Sequence, residues 1–163
     1  MKNKVSLNLN VSLLEIILSV LIFTAAGIIM LNCFAIARFT QIRANDKAMA
    51  GSILQSDFEI IKSLKSVDKV NEFLDNTYDS KTIGDGFCIY EKHYDENWNK
   101  GAAKEYFVTI ILNGEKTASG SLISISISAE KVKLYPFIKK EEAKQIYSIE
   151  TKKFFPTFGG SYE

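Results

Sequence analysis

Residues 16–37 read IILSVLIFTAAGIIMLNCFAIA, 22 positions without a formal charge. As a helix, a run of that length extends about 33 Å, enough to cross a hydrocarbon core of about 30 Å. Lipid offers no partners to backbone N–H and C=O groups, so a spanning segment of this kind is compelled to be helical. Lys2 and Lys4 precede the run and Arg38 closes it. Basic residues so near the start favour a single-pass arrangement, with the N-terminus in the cytoplasm and the bulk of the chain outside the cell membrane. With Lys2, Lys4 and Glu15 set apart, 18 basic and 18 acidic residues remain, so the outer part is neutral.

That neutrality narrows the function classes. A total of 20 basic against 19 acidic residues lacks the basic excess of a protein held on nucleic acid by phosphate contacts, and no direct nucleic-acid partner is expected. A hydrophobic share of 47% argues against disorder. Two cysteines and one histidine fall short of the four ligands of a typical zinc site and of a disulfide-dense scaffold. The length of 163 residues allows one ordinary domain, or a smaller one with an appendage.

Several N-terminal segments share this hydropathy. A secretory signal peptide fits the basic start, with Ala35-Ile36-Ala37 as a cleavage box, but its apolar region normally runs about 7–15 residues. A lipoprotein signal would use Cys33, where Asn32 replaces the usual small residue. A plain signal anchor fits equally well. Glu15 separates these readings, because it stands immediately before the apolar run. A carboxylate at the bilayer centre costs roughly 3 kcal/mol, and less near an interface. Either Glu15 sits among headgroups and caps the helix start, or its charge meets a specific partner.

The segment VSLLEIILSVLIF, residues 11–23, resembles the N-terminal signature of type IV pilins and of the pseudopilins of type II secretion and competence systems. Aligned on the glutamate, Val11 is the first mature residue, Ser12 the second and Glu15 the fifth. The resemblance covers residues 11–40 and implies a leader over 1–10, cut between Asn10 and Val11 by a prepilin peptidase. The family carries Gly where this chain has Asn10. The family likeness further implies N-terminal methylation, a membrane assembly platform, and other pilin or pseudopilin subunits as partners. In the family the glutamate, here Glu15, pairs with the N-terminal amine of a neighbouring subunit, and the helices pack side by side in a filament core. A structural subunit of a pilus or pseudopilus is thus the expected function, and an anchored extracytoplasmic binding domain that never polymerises is the alternative.

The residues after 38 carry a fold of their own. Ile42, Met49, Ile53, Ile60 and Leu64 are spaced as one stripe of a 3.6-residue period, with Lys47, Gln55, Glu59, Lys62 and Lys65 on other faces. Asn45 and Asp46 flank that stripe, which predicts solvent-exposed first turns. No proline occurs before Pro136, so one helix is expected over about 12–65. Ser66 is placed to cap a second helix bearing Val67, Val70 and Leu74 on one face.

Beyond Asn76 the period changes to two. Residues 87–91 form a candidate strand after the turn Gly84-Asp85-Gly86. Residues 105–112 (EYFVTIIL) form another, and the following Asn113-Gly114 is a hairpin signal. Ile123, Ile125, Ile127 and Ala129 alternate with Ser124, Ser126, Ser128 and Glu130, which predicts buried isoleucines and exposed serines. Residues 146–153 are a further candidate. The expected class is α+β, with a leader over 1–10, a long helix over 11–65 containing the span 16–37, and an extracytoplasmic head over 66–163.

Catalytic chemistry has little to stand on. Asp95-Glu96-Asn97-Trp98-Asn99 imitates the start of a calcium loop, but Lys100 occupies the glycine position and Tyr106 the twelfth, so a polar hairpin loop is expected. His93, the one histidine, reads as a solvated loop residue, and no triad can be assembled around it. Cys33 and Cys88 belong to different parts of the chain and read as small apolar fillers. Phe154, Phe155 and Phe158 read as core residues. No enzymatic activity and no bound cofactor or metal are expected.

Overall fold

The computed structural model describes residues 4–101, 104–117, 119–136 and 144–156, with the side chains of 4–11 and of Lys116 outside the description. By its internal contacts the chain divides into two units, Met1–Ile42 and Arg43–Glu163. Helix α1 (Lys4–Ser63) contributes residues to both. It starts earlier than the expected 12, because the leader-like residues contain no Pro or Gly to stop it. The second unit therefore holds the last third of α1 in addition to residues 66–163.

Helix α2 (Val67–Thr77) starts directly behind Ser66, a cap that forms as expected. The Ser66 hydroxyl accepts from the Lys69 N–H at 3.3 Å, and Val70 and Leu74 are buried. Five strands come next: β1 (Ser80–Ile83), β2 (Phe87–Tyr94), β3 (Tyr106–Thr117), β4 (Gly120–Lys131) and β5 (Gln145–Pro156). They form an antiparallel meander in the order β1-β2-β3-β4-β5. The second part of α1 packs on one face of this sheet, giving an α+β fold. Ala50, Leu54 and Ile61 of the helix share a core with Tyr90, Val108, Ile110, Ile125 and Ile127 of the sheet.

The alternation in β4 comes out as written in the sequence. Ile123, Ile125, Ile127 and Ala129 are buried, while Ser124, Ser126 and Ser128 point to the opposite face and are half-buried rather than fully exposed. Two strand ends differ from expectation. Asn113-Gly114 is no turn: Asn113 pairs with Ser124 and Gly114 with Ile123, inside a ladder that continues to Thr117 opposite Gly120. The strands reverse between Thr117 and Gly120 instead, where the Thr117 hydroxyl donates to the Gly120 carbonyl at 2.8 Å. Gly120 is required there because an added Cβ would lie 2.2 Å from the Phe155 carbonyl oxygen. The predicted turn at Gly84-Asp85-Gly86 does form, and Gly86 has a φ of 83°, a region that side chains disfavour. Strand β1 carries no sequence signal, since all four of its residues are exposed.

The helix stripe is the main correction. Ile42, Met49 and Ile60 remain about two-fifths exposed, and Ile53 and Leu64 are only half-buried. The buried face is rotated by one position and reads Asp46, Ala50, Leu54, Asp57, Ile61. Both aspartates point into the head; residues 41–45 and 47–49 are exposed, as expected of these first turns, and Asp46 itself is the exception. The apolar count favoured the isoleucine stripe; hydrogen-bond donors on the sheet favoured the aspartates, and burial followed the donors.

Candidate assembly segment and buried carboxylates

The first unit is defined by what it leaves uncovered. Within Ser12–Ser63 lies a helix long and apolar enough to cross a membrane, and none of its most apolar window is buried. Leu13, Leu14, Ile16, Ile17, Leu21, Phe23 and Phe34 are each more than half exposed. The polar atoms on this surface are handled locally. Thr24 Oγ1 donates to the Val20 carbonyl at 2.7 Å, and Thr40 Oγ1 to the Ile36 carbonyl at 2.9 Å. Those bonds remove the hydroxyl donors that an apolar surrounding would penalise.

Glu15 is exposed on this helix, and no ion pair involves it among the described residues. Asn10 and Val11 lie on the helical backbone of α1, with side chains outside the described residues. The structure thus puts the three expected site residues on one helix, and Glu15 meets no ionic partner among the described residues. Cys33 is exposed and free, and Cys88 is half-buried in β2 and also free.

In the second unit the chemistry collects around two carboxylates of α1. Asp46, 4% exposed, receives the Tyr135 hydroxyl at 2.6 Å, the Tyr106 hydroxyl at 2.9 Å, Lys131 Nζ at 3.4 Å and Trp98 Nε1 at 3.4 Å. These donors come from β3, β4 and the segments after β2 and β4. Trp98 also stacks on Tyr106 with centroids 4.2 Å apart. Its backbone has a φ of 62°, unusual for a residue with a Cβ. The loop holds that shape because Asp95 Oδ1 accepts the N–H groups of Asn97 and Asn99, both at 2.8 Å. The calcium-like loop thus uses its first carboxylate on its own backbone, which keeps the Asp95 pKa below the usual range. Among the described residues no group of three or more His, Cys, Asp or Glu is arranged to hold a metal.

Asp57, three helical turns on, forms the second cluster. Its Oδ2 accepts from Lys92 Nζ at 2.5 Å and from the Tyr78 hydroxyl at 2.7 Å. Lys92 is 4% exposed, with its ammonium 4.6 Å from the Tyr78 ring centroid and 5.7 Å from that of Tyr94. The tyrosines around both carboxylates share one electrostatic fate. Burial, reinforced by the adjacent aspartate, pushes the hydroxyl pKa values of Tyr78, Tyr106 and Tyr135 up from 10.0.

Lys153 of β5 closes the end of α1. Its Nζ donates to the carbonyls of Ile61 at 3.0 Å, Lys62 at 2.7 Å, and Leu64. These acceptors are the orphan carbonyls of a helix C-terminus, where a positive charge also meets the negative end of the helix dipole. Burial lowers the pKa of this lysine. His93 lies in strand β2 rather than in a loop, with Nδ1 3.8 Å from Asp79 Oδ2. Phe155 is buried and Phe154 is 46% exposed, while Phe158 falls outside the described residues.

In the sequence Asp46 reads only as a residue flanking the stripe, and Asp57, Lys92 and Lys153 carry no signal of their own. The signal available was an 11-residue spacing of two aspartates, almost three whole turns, combined with inward-facing positions for Lys92 beside Tyr90 and Tyr94. No family model, curated protein or solved structure matches this chain.

Proposed function

We propose that the chain is a structural subunit of a pilus-like or pseudopilus-like filament, assembling through its N-terminal helix after removal of a leader. The observation that carries this reading is the uncovered apolar surface of α1 opened by a glutamate. An anchor alone needs the apolar length, but gains nothing from a charge at position 15. Assembly uses both. An apolar helix costly to expose to water is buried again among neighbouring helices, and a low-dielectric surrounding strengthens the attraction between Glu15 and an amine at Val11 of an adjacent copy. The pairing is favourable only when both charges find each other, which ties correct register to stability. The head then forms the filament surface. In this reading the partners are other pilin-like subunits, a prepilin peptidase and a membrane assembly platform, and the chain is not an enzyme.

Intact-mass measurement on protein purified from membranes tests the first step. A chain beginning at Val11 is expected; a chain retaining Met1 supports the anchored binding domain instead. Glu15→Ala tests the second. Membrane insertion and protease resistance of the head should be unchanged, and incorporation beside wild-type subunits should fall sharply. Normal incorporation of that variant removes the charge-pairing role.

A further inference from the structure

The Asp57–Lys92 pair has features that an ordinary stabilising ion pair does not require. Both side chains are more than nine-tenths buried, and the contact is 2.5 Å, whereas the exposed pairs Lys69–Glu72 and Lys81–Asp75 are 2.8 Å apart. The partly buried pair Lys131–Asp46 is 3.4 Å apart, and its carboxylate is shared among four donors. In the Asp57 cluster the lysine nitrogen lies in hydrogen-bond contact with Oδ2, one bond removed from the carboxyl carbon it would attack, and tyrosine rings flank it. The Tyr78 hydroxyl donates to the same oxygen that faces the amine.

We propose that this pair is a site of covalent modification, an amide cross-link between Lys92 Nζ and Asp57 Cγ that forms inside the folded head. The step balances without any co-reactant. Within the pair the ammonium passes a proton to Oδ2, and the freed nitrogen lone pair attacks Cγ. The N–C bond forms, the Cγ–Oδ2 bond breaks with its electron pair on oxygen, and that oxygen leaves as water with a second proton from the nitrogen. One ammonium and one carboxylate become one neutral amide and one water. The Tyr78 O–H bonds to the departing oxygen and stabilises charge developing on it.

Three physical arguments favour the product. Two reacting groups fixed in contact have a very high effective concentration, which removes most of the entropic barrier to condensation. A buried ion pair carries the desolvation cost of both charges, and the amide removes both at once. Water, the species that would drive the reverse reaction, has little access to a pair buried among Tyr78, Tyr94 and the helix. The cross-link would tie α1 to β2 and enclose the residues between 57 and 92 in a covalent loop, so that pulling on the helix loads the sheet through a bond.

Peptide mapping of the full-length wild-type protein tests this directly. Trypsin does not cut after an acylated lysine, so the expected product is a branched species joining residues 48–62 to residues 82–100, lighter than its two parts by one water. The peptides bearing Asp46, Lys131, Asp75 and Lys81 should remain linear. Lys92→Arg should abolish the branched species. Recovery of 48–62, 82–92 and 93–100 as linear peptides in full yield from folded protein overturns the proposal. So does a branched species that persists in Lys92→Arg, or equal dehydration at the other ion pairs.

Discussion

Residues 12–42 and 43–63 of α1 have the same backbone conformation and opposite surfaces. The earlier part is uncharged on every face between Glu15 and Arg38 and has no buried residue; the later part carries two acidic side chains on its buried face and packs against a sheet. Apolar surface alone therefore does not say where a helix is buried within its own chain. In the earlier part it asks for an external apolar surrounding, either lipid or other helices. In the later part burial is decided by specific donors: Tyr106, Tyr135, Trp98 and Lys131 for Asp46, and Lys92 and Tyr78 for Asp57. One region is built for contacts outside the chain and the other for contacts inside it.

The largest expected effect lies at the more heavily bonded carboxylate. Asp46→Ala leaves the half-buried Lys131 and three polar hydrogens without this acceptor, and breaking such a network costs about 3–5 kcal/mol. Denaturant unfolding of the head, followed by Trp98 fluorescence, should shift by that amount. A change under about 1 kcal/mol would mean that water replaces the carboxylate and that the head is far less closed than Asp46 indicates.

Alkaline pH attacks the same clusters from the donor side. Tyr78, Tyr106 and Tyr135 have folded-state pKa values above the ordinary 10.0, so between the unfolded and folded values the folded chain holds protons that the unfolded chain releases. Their contribution is fully present below pH 10.0 and is lost as pH rises above it. Lys153 acts in the opposite sense, because its pKa lies below 10.5 when folded, but it is one group against three. Tyrosinate absorbance from these residues should appear together with loss of β-sheet circular dichroism. Ionisation of all tyrosines at pH 10 in a head that stays folded would contradict the buried geometry.

Lys153→Met should be milder. It keeps most of the apolar stem but removes the charge at the end of α1, leaving the carbonyls of Ile61, Lys62 and Leu64 to water. A loss of roughly 1–2 kcal/mol follows from the capping and dipole terms. Hydrogen exchange should quicken in the last turn of α1 before it does at Leu54. Uniform acceleration across the helix would show that Lys153 supports the whole packing and not its terminus.

These effects also show where the sequence was readable. The β4 alternation, the Ser66 cap and the α+β order follow from local rules that need no partner: period two, a hydroxyl before a helix, and an unbroken run without proline. The face of α1 is not readable locally because it depends on residues 21 to 89 positions away. Asp46 looks like an interruption of a stripe until Tyr106 and Tyr135 are placed opposite it. Asn113-Gly114 misled for a related reason. A two-residue turn signal is local, but the ladder between β3 and β4 gains further cross-strand pairs by running on to Thr117 and Gly120. Glu15 was readable as an anomaly of charge placement, and its partner lies outside a single chain by the nature of the proposal.

The smallest expected effect is the sharpest test of the comparison, because the helix, residue type and substitution stay the same and only the region changes. Leu54 is fully buried and Leu21 is 62% exposed, both on α1. Leu54→Ala removes core methyl groups and leaves a cavity, so the head should lose about 2–5 kcal/mol. Leu21→Ala removes the same atoms from a surface that none of the described residues covers, and head stability in detergent should stay within about 0.5 kcal/mol of wild type. The two variants should then separate in the opposite order when assembly is measured in membranes. Leu21→Ala trims the helix surface on which neighbouring subunits would pack, so it should reduce filament incorporation although the head is as stable as wild type. Two results would break the comparison. Loss of head stability in Leu21→Ala would mean that the apolar helix contacts its own head, and unchanged incorporation would mean that its uncovered surface meets lipid alone.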